Sequence, residues 1–319
     1  DPIDKCSVWS DIAGGVVEAA GRLYWINNNQ ILYSFDGNAV RSEGLTNNKW
    51  IARLQNGNLI IFGADKIYQV PSSGGSPVEI QDFSSSIDNT YRWVAFKNKV
   101  VFSAANASLG TELYMMDIDG TVSLIEDFNS GATSTFDTGT LWFGEVIGDY
   151  FYNFVSIAGQ TYIIKVDYSG NVVKIPLADT FEFSTNNIAA PAFWQVGEYI
   201  LTTASNSQVA NELFRIKPDN SIEPLMNTML TTSNSIFTGY NSQNSTYSLF
   251  AANTLSGEAL YSFNVNTNAI VNLSGPFTPV GSKGVDYLYY SERESIWLFS
   301  ITDKNYRHKI YITDGTLGG

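Results

Sequence analysis

The residues able to do chemistry are few. His308 is the only histidine in 319 residues. A histidine-based triad would have to use it, and no Gly-x-Ser-x-Gly elbow supplies a nucleophile to match. Zinc asks for three or four ligands from cysteine, histidine and carboxylate; one histidine and one cysteine, Cys6, fall short of that set. A lone cysteine also rules out an intrachain disulfide and reads as a small buried hydrophobe. Carboxylates are the remaining equipment. Glu145, Asp149 and Glu198 lie in or near β-rich runs, and paired carboxylates are what glycoside hydrolysis needs. Asp117-Ile118-Asp119-Gly120 opens like a calcium loop but lacks the later ligands and closing glutamate of an EF-hand. Asp-Gly is better read there as a tight turn, since glycine supplies positive φ. No Gly-rich phosphate loop is present. The expectation is therefore no metal site, no cofactor and no catalytic residue.

Trp50, Trp93, Trp142 and Trp194 recur at the starts of successive β-rich segments. They could form a stacking ring for sugars or peptides, but packing between neighbouring sheets is the reading preferred for large aromatics. Asn106-Ala107-Ser108, Asn244-Ser245-Thr246 and Asn272-Leu273-Ser274 match the glycosylation acceptor pattern, as chance allows in a chain so rich in Asn and Ser.

These residues sit in a chain with 44% hydrophobic and 14% aromatic residues but only 15% charged. A typical soluble protein is roughly 25% charged. Asn, Ser, Thr and Gly take the place of charge, which favours turns and strands over long helices. The formal net charge of −13 repels phosphate backbones, which argues against nucleic acid and anionic membrane as partners. No apolar run reaches 18 residues, so direct membrane insertion by a helix is not expected. The chain opens at Asp1 with no leader, as a processed or trimmed end would. Composition suits an exported protein, extracellular or at the cell surface, with the periplasm also open.

The organising signal is a repeat. Glu112 to Phe128 runs from an alternating apolar segment through Asp-Gly into a second β-rich segment, a hairpin pattern. Equivalent apolar segments centre on Tyr33, Tyr68, Tyr114, Ile164, Phe214, Tyr261 and Tyr311, at intervals of 35, 46, 50, 50, 47 and 50 residues. Four strands at such a period, repeated seven times, predict an all-β fold: a seven-bladed β-propeller with four-stranded blades, occupying residues 1–319 as one domain. The seventh unit offers only Val285–Tyr290, Ser295–Thr302 and Lys309–Thr313. The unassigned run Lys5–Ser10, ahead of a breaker at Gly14-Gly15, is expected to complete that blade and close the ring.

Three segments carry a family resemblance. Glu112-Leu113-Tyr114 with Asp119-Gly120-Thr121, Asn211-Glu212-Leu213-Phe214, and Lys309 to Gly319 with its Asp314-Gly315-Thr316 resemble copies of a bacterial repeat. That repeat reads Glu-Leu-Trp, two residues, Asp-Gly-Thr, two residues, Gly-Thr, and occurs in secreted and surface-associated propeller proteins. Tyr or Phe stands here for its Trp, and Asp219-Asn220-Ser221 for Asp-Gly-Thr. The resemblance implies the fold and an exported setting, and no activity.

The resulting expectation is a non-enzymatic binding or scaffold module at a bacterial cell surface, taking a protein or glycan partner and showing only background hydrolase activity. Two alternatives stand beside it: a carbohydrate-active enzyme using carboxylates on the channel face, and a structural subunit of a larger surface assembly. Oligomeric state is left open. The expected contact surface is a loop-rich face. Long second-to-third-strand loops (Ala104–Thr111, Ser156–Gln160, Ala204–Asn211, Ala252–Glu258, Asp303–His308) would form a wall beside a notch over the first two units. Phe136, Phe181, Phe183 and Phe277, in the long loops, are the candidate ligand contacts.

Overall fold

The computed structural model describes residues 12–63, 65–82, 89–135, 144–177, 193–204, 212–226, 241–243, 246–254, 257–273, 285–291, 293–302 and 308–316. It is all-β and loosely propeller-like: six four-stranded antiparallel sheets and one of three strands. Sheet one runs β1 (Ile12–Ala19), β2 (Arg22–Asn27), β3 (Leu32–Phe35) and β4 (Val40–Ser42); sheet two runs β5 (Asn48–Arg53), β6 (Leu59–Gly63), β7 (Lys66–Val70) and β8 (Val78–Asp82). Sheet three has β9 (Asn89–Phe96), β10 (Lys99–Asn106), β11 (Gly110–Met116) and β12 (Val122–Glu126). Sheet four has β13 (Glu145–Ile147), β14 (Tyr150–Ile157), β15 (Gln160–Asp167) and β16 (Val172–Pro176). Sheet five has β17 (Phe193–Val196), β18 (Tyr199–Ala204), β19 (Glu212–Ile216) and β20 (Ile222–Met226). Sheet six has β21 (Asn241–Gln243), β22 (Tyr247–Thr254), β23 (Gly257–Asn264) and β24 (Ala269–Asn272). Sheet seven has β25 (Val285–Ser291), β26 (Ile296–Thr302) and β27 (His308–Thr313). Neighbours in each sheet are consecutive in sequence, the simplest meander.

The chain divides into two compact units, Asp1–Val146 with Val166–Val172, and Ile147–Lys165 with Val173–Gly319. In the first, β6 shows how sheets stack. All five of its residues are buried. Side chains alternate across a strand, so Leu59 and Ile61 pack with Tyr24, Ile26 and Leu32, while Ile60 and Phe62 pack with Val100, Phe102 and Tyr114. In the second unit β17 and β18 repeat the device. Phe193 and Ile200 face a core with Phe154 and Ile163; Trp194 and Leu201 face one with Phe250 and Phe263. A strand buried on both faces reads as a continuous apolar run, which is why Leu59-Ile60-Ile61-Phe62 carries no alternation.

The turns are equally regular. Third and fourth strands of sheets three, four and five are joined by one shared hydrogen-bond pattern. Asp117 N–H donates to Thr121 O at 2.9 Å and Gly120 N–H to Asp117 O at 3.0 Å; the same pairs form between 167 and 171 and between 217 and 221. The residue at the left-handed position is Gly120, Gly170 or Asn220, with φ of +88°, +88° and +64°. Asp119 Oδ1, Asp167 Oδ1 and Asp219 Oδ1 each accept a backbone N–H two residues on, fastening the turn.

Each such turn lies against the sheet before it in sequence. Gly120 abuts the Ile80 carbonyl so closely that a Cβ there would collide with it. Tyr168 sits edge-on to Phe96 at 5.5 Å and beneath the Lys99 ammonium at 4.7 Å. Asn220 accepts from Lys165 Nζ at 3.1 Å, and Asn268 accepts from Arg215 Nη1.

Several sequence expectations need correction. Gly14-Gly15 is not a breaker; both lie within β1, where the register with β2 shifts between Ile12 and Val16. A bulge absorbs the glycines, so the strand continues. The long loops expected at 104–111 and 156–160 are mostly strand. β10 and β11 are joined by three residues, 107–109, and β14 and β15 by Ala158-Gly159 alone. Positive φ at both Ala158 (50°) and Gly159 (85°) gives the tight turn that matches strand twist. At 252–258 the strands β22 and β23 likewise extend to Thr254 and from Gly257. The wall of long loops is thus replaced by extended hairpins in sheets three, four and six. His308 begins β27 rather than preceding it. Lys5–Ser10, and with it the proposed ring closure, lies outside the described residues. So does Ile236–Tyr240, which the sequence predicts as the first strand of the sixth unit; the first described strand of sheet six is the neighbouring β21.

Candidate catalytic carboxyls

Glu145 opens β13, the first strand of sheet four. It is half-buried, and burial alone raises its pKa above the usual carboxylate value. Among the described residues no hydrogen bond or ion pair reaches it. An uncompensated carboxyl in a partly desolvated place costs stability, and such perturbed groups concentrate at functional sites. Asp149 and Glu198 are different. Both are exposed and occupy equivalent turns, between β13 and β14 and between β17 and β18. The three carboxylates grouped from sequence therefore divide into one half-buried group and two surface groups.

Glu112 was legible only as part of a repeat motif. It is fully buried at the start of β11. Thr135 Oγ1 donates to its Oε1 at 2.5 Å and Phe128 N–H to its Oε2 at 3.4 Å. Desolvation outweighs these donors, and the nearby Asp127 charge adds to it, so its pKa is pushed up to about 7. The carboxyl ties the segment after β12 back onto β11. Thr135 N–H reinforces the tie by donating to Thr111 O at 3.1 Å. The signal that could have flagged Glu112 is an acid set directly before the apolar run Leu113–Met116.

Arg215 and Lys165 were missed altogether. Each lies in the apolar alternation of a third strand, between Phe214 and Ile216 and between Ile164 and Val166. Arg215 pairs with Glu223, donates to Asn268 Oδ1, and lies 4.6 Å from the Tyr199 ring. Lys165 lies 4.1 Å from the Tyr150 ring, and burial lowers its pKa. Both fasten turns.

Asp117 pairs with Lys99 Nζ at 3.1 Å and Asp119 holds Thr121 N–H at 2.9 Å, so the Asp-Ile-Asp-Gly segment spends its carboxylates on its own turn and sheet. Trp50 stacks on Trp93 at 5.9 Å, and buried Trp194 donates to Ser248 Oγ at 2.9 Å. These tryptophans pack between sheets. Trp142, Cys6, and the contact candidates Phe136, Phe181, Phe183 and Phe277 lie outside the described residues.

No family model matches the chain, and no curated protein matches it in sequence. Similarity is found among solved structures. A computationally designed protein, Ika8, aligns with a TM-score of 0.52 at 12% identity, over 96% of this chain and 88% of its own. A structure from a study of two prolyl endopeptidases aligns with a TM-score of 0.51 at 10% identity, over 97% of this chain and 49% of its own. The present chain thus spans about half the length of that protein. An oligogalacturonate lyase from Vibrio parahaemolyticus aligns at 0.47 with 12% identity, over 92% of this chain and 86% of its own.

What is shared at these identities is the fold. Against the expectation of a non-enzymatic binding or scaffold module, the natural protein aligned at 0.51 comes from a study of prolyl endopeptidases; the likeness itself extends to the fold and assigns no activity to this chain.

Proposed function

We propose that this protein is a carbohydrate-active enzyme in which Glu145 is the acid–base carboxyl. The observation that carries the reading is Glu145 itself: half-buried, raised in pKa by burial alone, and without a partner among the described residues. A carboxyl whose pKa is raised by burial is a better proton donor to a departing glycosidic oxygen than an ordinary surface carboxylate. The residue inventory favours this chemistry, because one histidine and no nucleophile elbow leave carboxyls as the groups available. The test is turnover on a panel of polysaccharides and aryl glycosides. Glu145→Gln should lower the rate on the accepted substrate by about 10²–10⁴-fold, with the melting temperature kept or raised. Full activity in Glu145→Gln, or no turnover of any carbohydrate by the wild type, would sink the reading.

We further propose that the seven sheets are blades of a seven-bladed propeller, with Lys5–Ser10 as the fourth strand of sheet seven. The support is that sheet seven alone has three described strands, and that Ile310 and Ile312 on its last strand are 78% and 60% exposed. An uncovered edge of that kind invites aggregation. Deleting residues 1–11 should lower the melting temperature and promote aggregation; identical melting would count against closure. The likeness of Glu112–Thr121 and Lys309–Gly319 to a bacterial repeat, with the acidic, Asn- and Ser-rich composition, supports an exported, extracellular setting.

A further inference from the structure

A cleft of about 350 Å³ lies in the first unit between the end of β4 and the β7–β8 loop, lined by Arg22, Arg41, Ser42, Glu43, Gly75 and Ser76. That volume falls at the small end of ligand sites. Two guanidinium groups in one cleft are notable in a chain of net charge −13.

The two arginines are not equivalent. Arg22 is engaged: its Nη1 donates to Ser34 Oγ and Glu43 Oε1, both at 3.4 Å. Glu43 also takes a short hydrogen bond from the buried Ser34 hydroxyl. The one anion lining the cleft is thereby committed to the sheet. Arg41 is 58% exposed and its Nη2 lies 3.1 Å from Asp36 Oδ2. Asp36 is itself held by the N–H groups of Asn38 and Ala39, both at 3.0 Å, which together with Arg41 and Arg22 keep its pKa low. An exposed pair of this kind is weak, so Arg41 can turn its planar fork to an incoming carboxylate at little cost. Opposite it the wall is bare: nothing lies within 4 Å of where a Gly75 Cβ would stand. Ser42 and Ser76 add hydroxyls that can donate or accept.

We infer that this cleft binds a carboxylate-bearing sugar, a uronic acid unit, with Arg41 as the carboxylate ligand and the serines taking hydroxyls. The sugar assignment rests on the carbohydrate reading above; the carboxylate assignment rests on the cleft alone. It would serve as a holding site for acidic saccharide, separate from Glu145.

The experiment is calorimetric titration with sodium glucuronate, with glucose, acetate and inorganic phosphate as controls, in about 20 mM and about 150 mM salt to span the screening range. Glucuronate should bind saturably and more weakly at the higher salt. Arg41→Gln, on an exposed strand position, should weaken binding at least tenfold while melting as the wild type does. Glu145→Gln should bind glucuronate unchanged, so a failure of the catalytic reading leaves this result standing. Equal binding of glucose would overturn the carboxylate assignment. Equal binding of acetate or phosphate would overturn the sugar assignment. Unaltered affinity in Arg41→Gln, or no saturable binding of glucuronate, would overturn the site.

Discussion

Two glycines with the same backbone angle separate local strain from contact between sheets. Gly120 and Gly170 both have φ of +88°, but only Gly120 faces a neighbour, the Ile80 carbonyl. Gly170→Ala should cost about 1 kcal/mol for the left-handed conformation. Gly120→Ala should cost about 3 kcal/mol, since the Ile80 backbone must also shift. Chemical denaturation of both variants measures the difference, and equal losses would show that the turn does not bear on the sheet. A second residue-scale expectation concerns Glu112. Its folded pKa of about 7 lies above the unfolded value of 4.5, so the folded state holds its proton more tightly. The stabilisation is fully present below pH 4.5 and is lost as pH rises through 7, on the order of 3 kcal/mol. The turn aspartates run the other way: Asp119, Asp167, Asp219 and Asp314 have lowered pKa values and withdraw stability as pH falls. Melting temperatures of wild type and Glu112→Gln at pH 5 and pH 8 isolate the first effect. Gln keeps one acceptor oxygen, enough for Thr135 or Phe128 but not both, and does not titrate, so it should be less stable at pH 5 while the alkaline decline flattens; an unchanged decline would place its cause elsewhere.

Among the elements, the third strands carry the fastenings. Arg215 is 4% exposed and serves Glu223, Asn268 and the Tyr199 ring together. Arg215→Leu should destabilise by about 2–3 kcal/mol, because it removes a buried guanidinium that holds Asn268 and is one of the two cations on Glu223. Lys217, paired with the same Glu223 at 2.5 Å but with 35% of its side chain exposed and no second ion pair among the described residues, should cost under about 1 kcal/mol as Lys217→Met. Urea titrations of the two variants compare them directly. These elements also show what sequence makes legible. Lys66–Val70 and Glu212–Ile216 coincide with the strands expected, since apolar alternation between turn residues is a local signal. Where β14 and β15 extend into a two-residue turn, Ser156 and Gly159 read as loop because their polarity masks a turn defined by backbone angle. Glu145 was named among three carboxylates, but burial separated it from Asp149 and Glu198, and burial is decided by packing. The Arg22–Arg41 cleft had no sequence signal, because it joins residues 22 and 76 through an encounter between two sheets.

For the whole chain the dominant electrostatic fact is 31 acids against 18 strong bases. Self-repulsion should exceed the benefit of the surface pairs, so adding salt from about 10 to 150 mM should raise the melting temperature. A fall would mean that specific pairs such as Lys66 with Glu79 and Asp82 outweigh the net charge. Another consequence follows from the direction in which the turns reach. Ala20, Ile80, Phe96, Lys165 and Arg215 are each met by a turn from the sheet that comes after them. As the chain leaves a ribosome, a newly made sheet therefore lacks its cover until about one further repeat has been synthesised. Assembly trails translation by a lag of one repeat, some 35 to 50 residues, and a pause in that interval would leave the newest sheet without its covering turn.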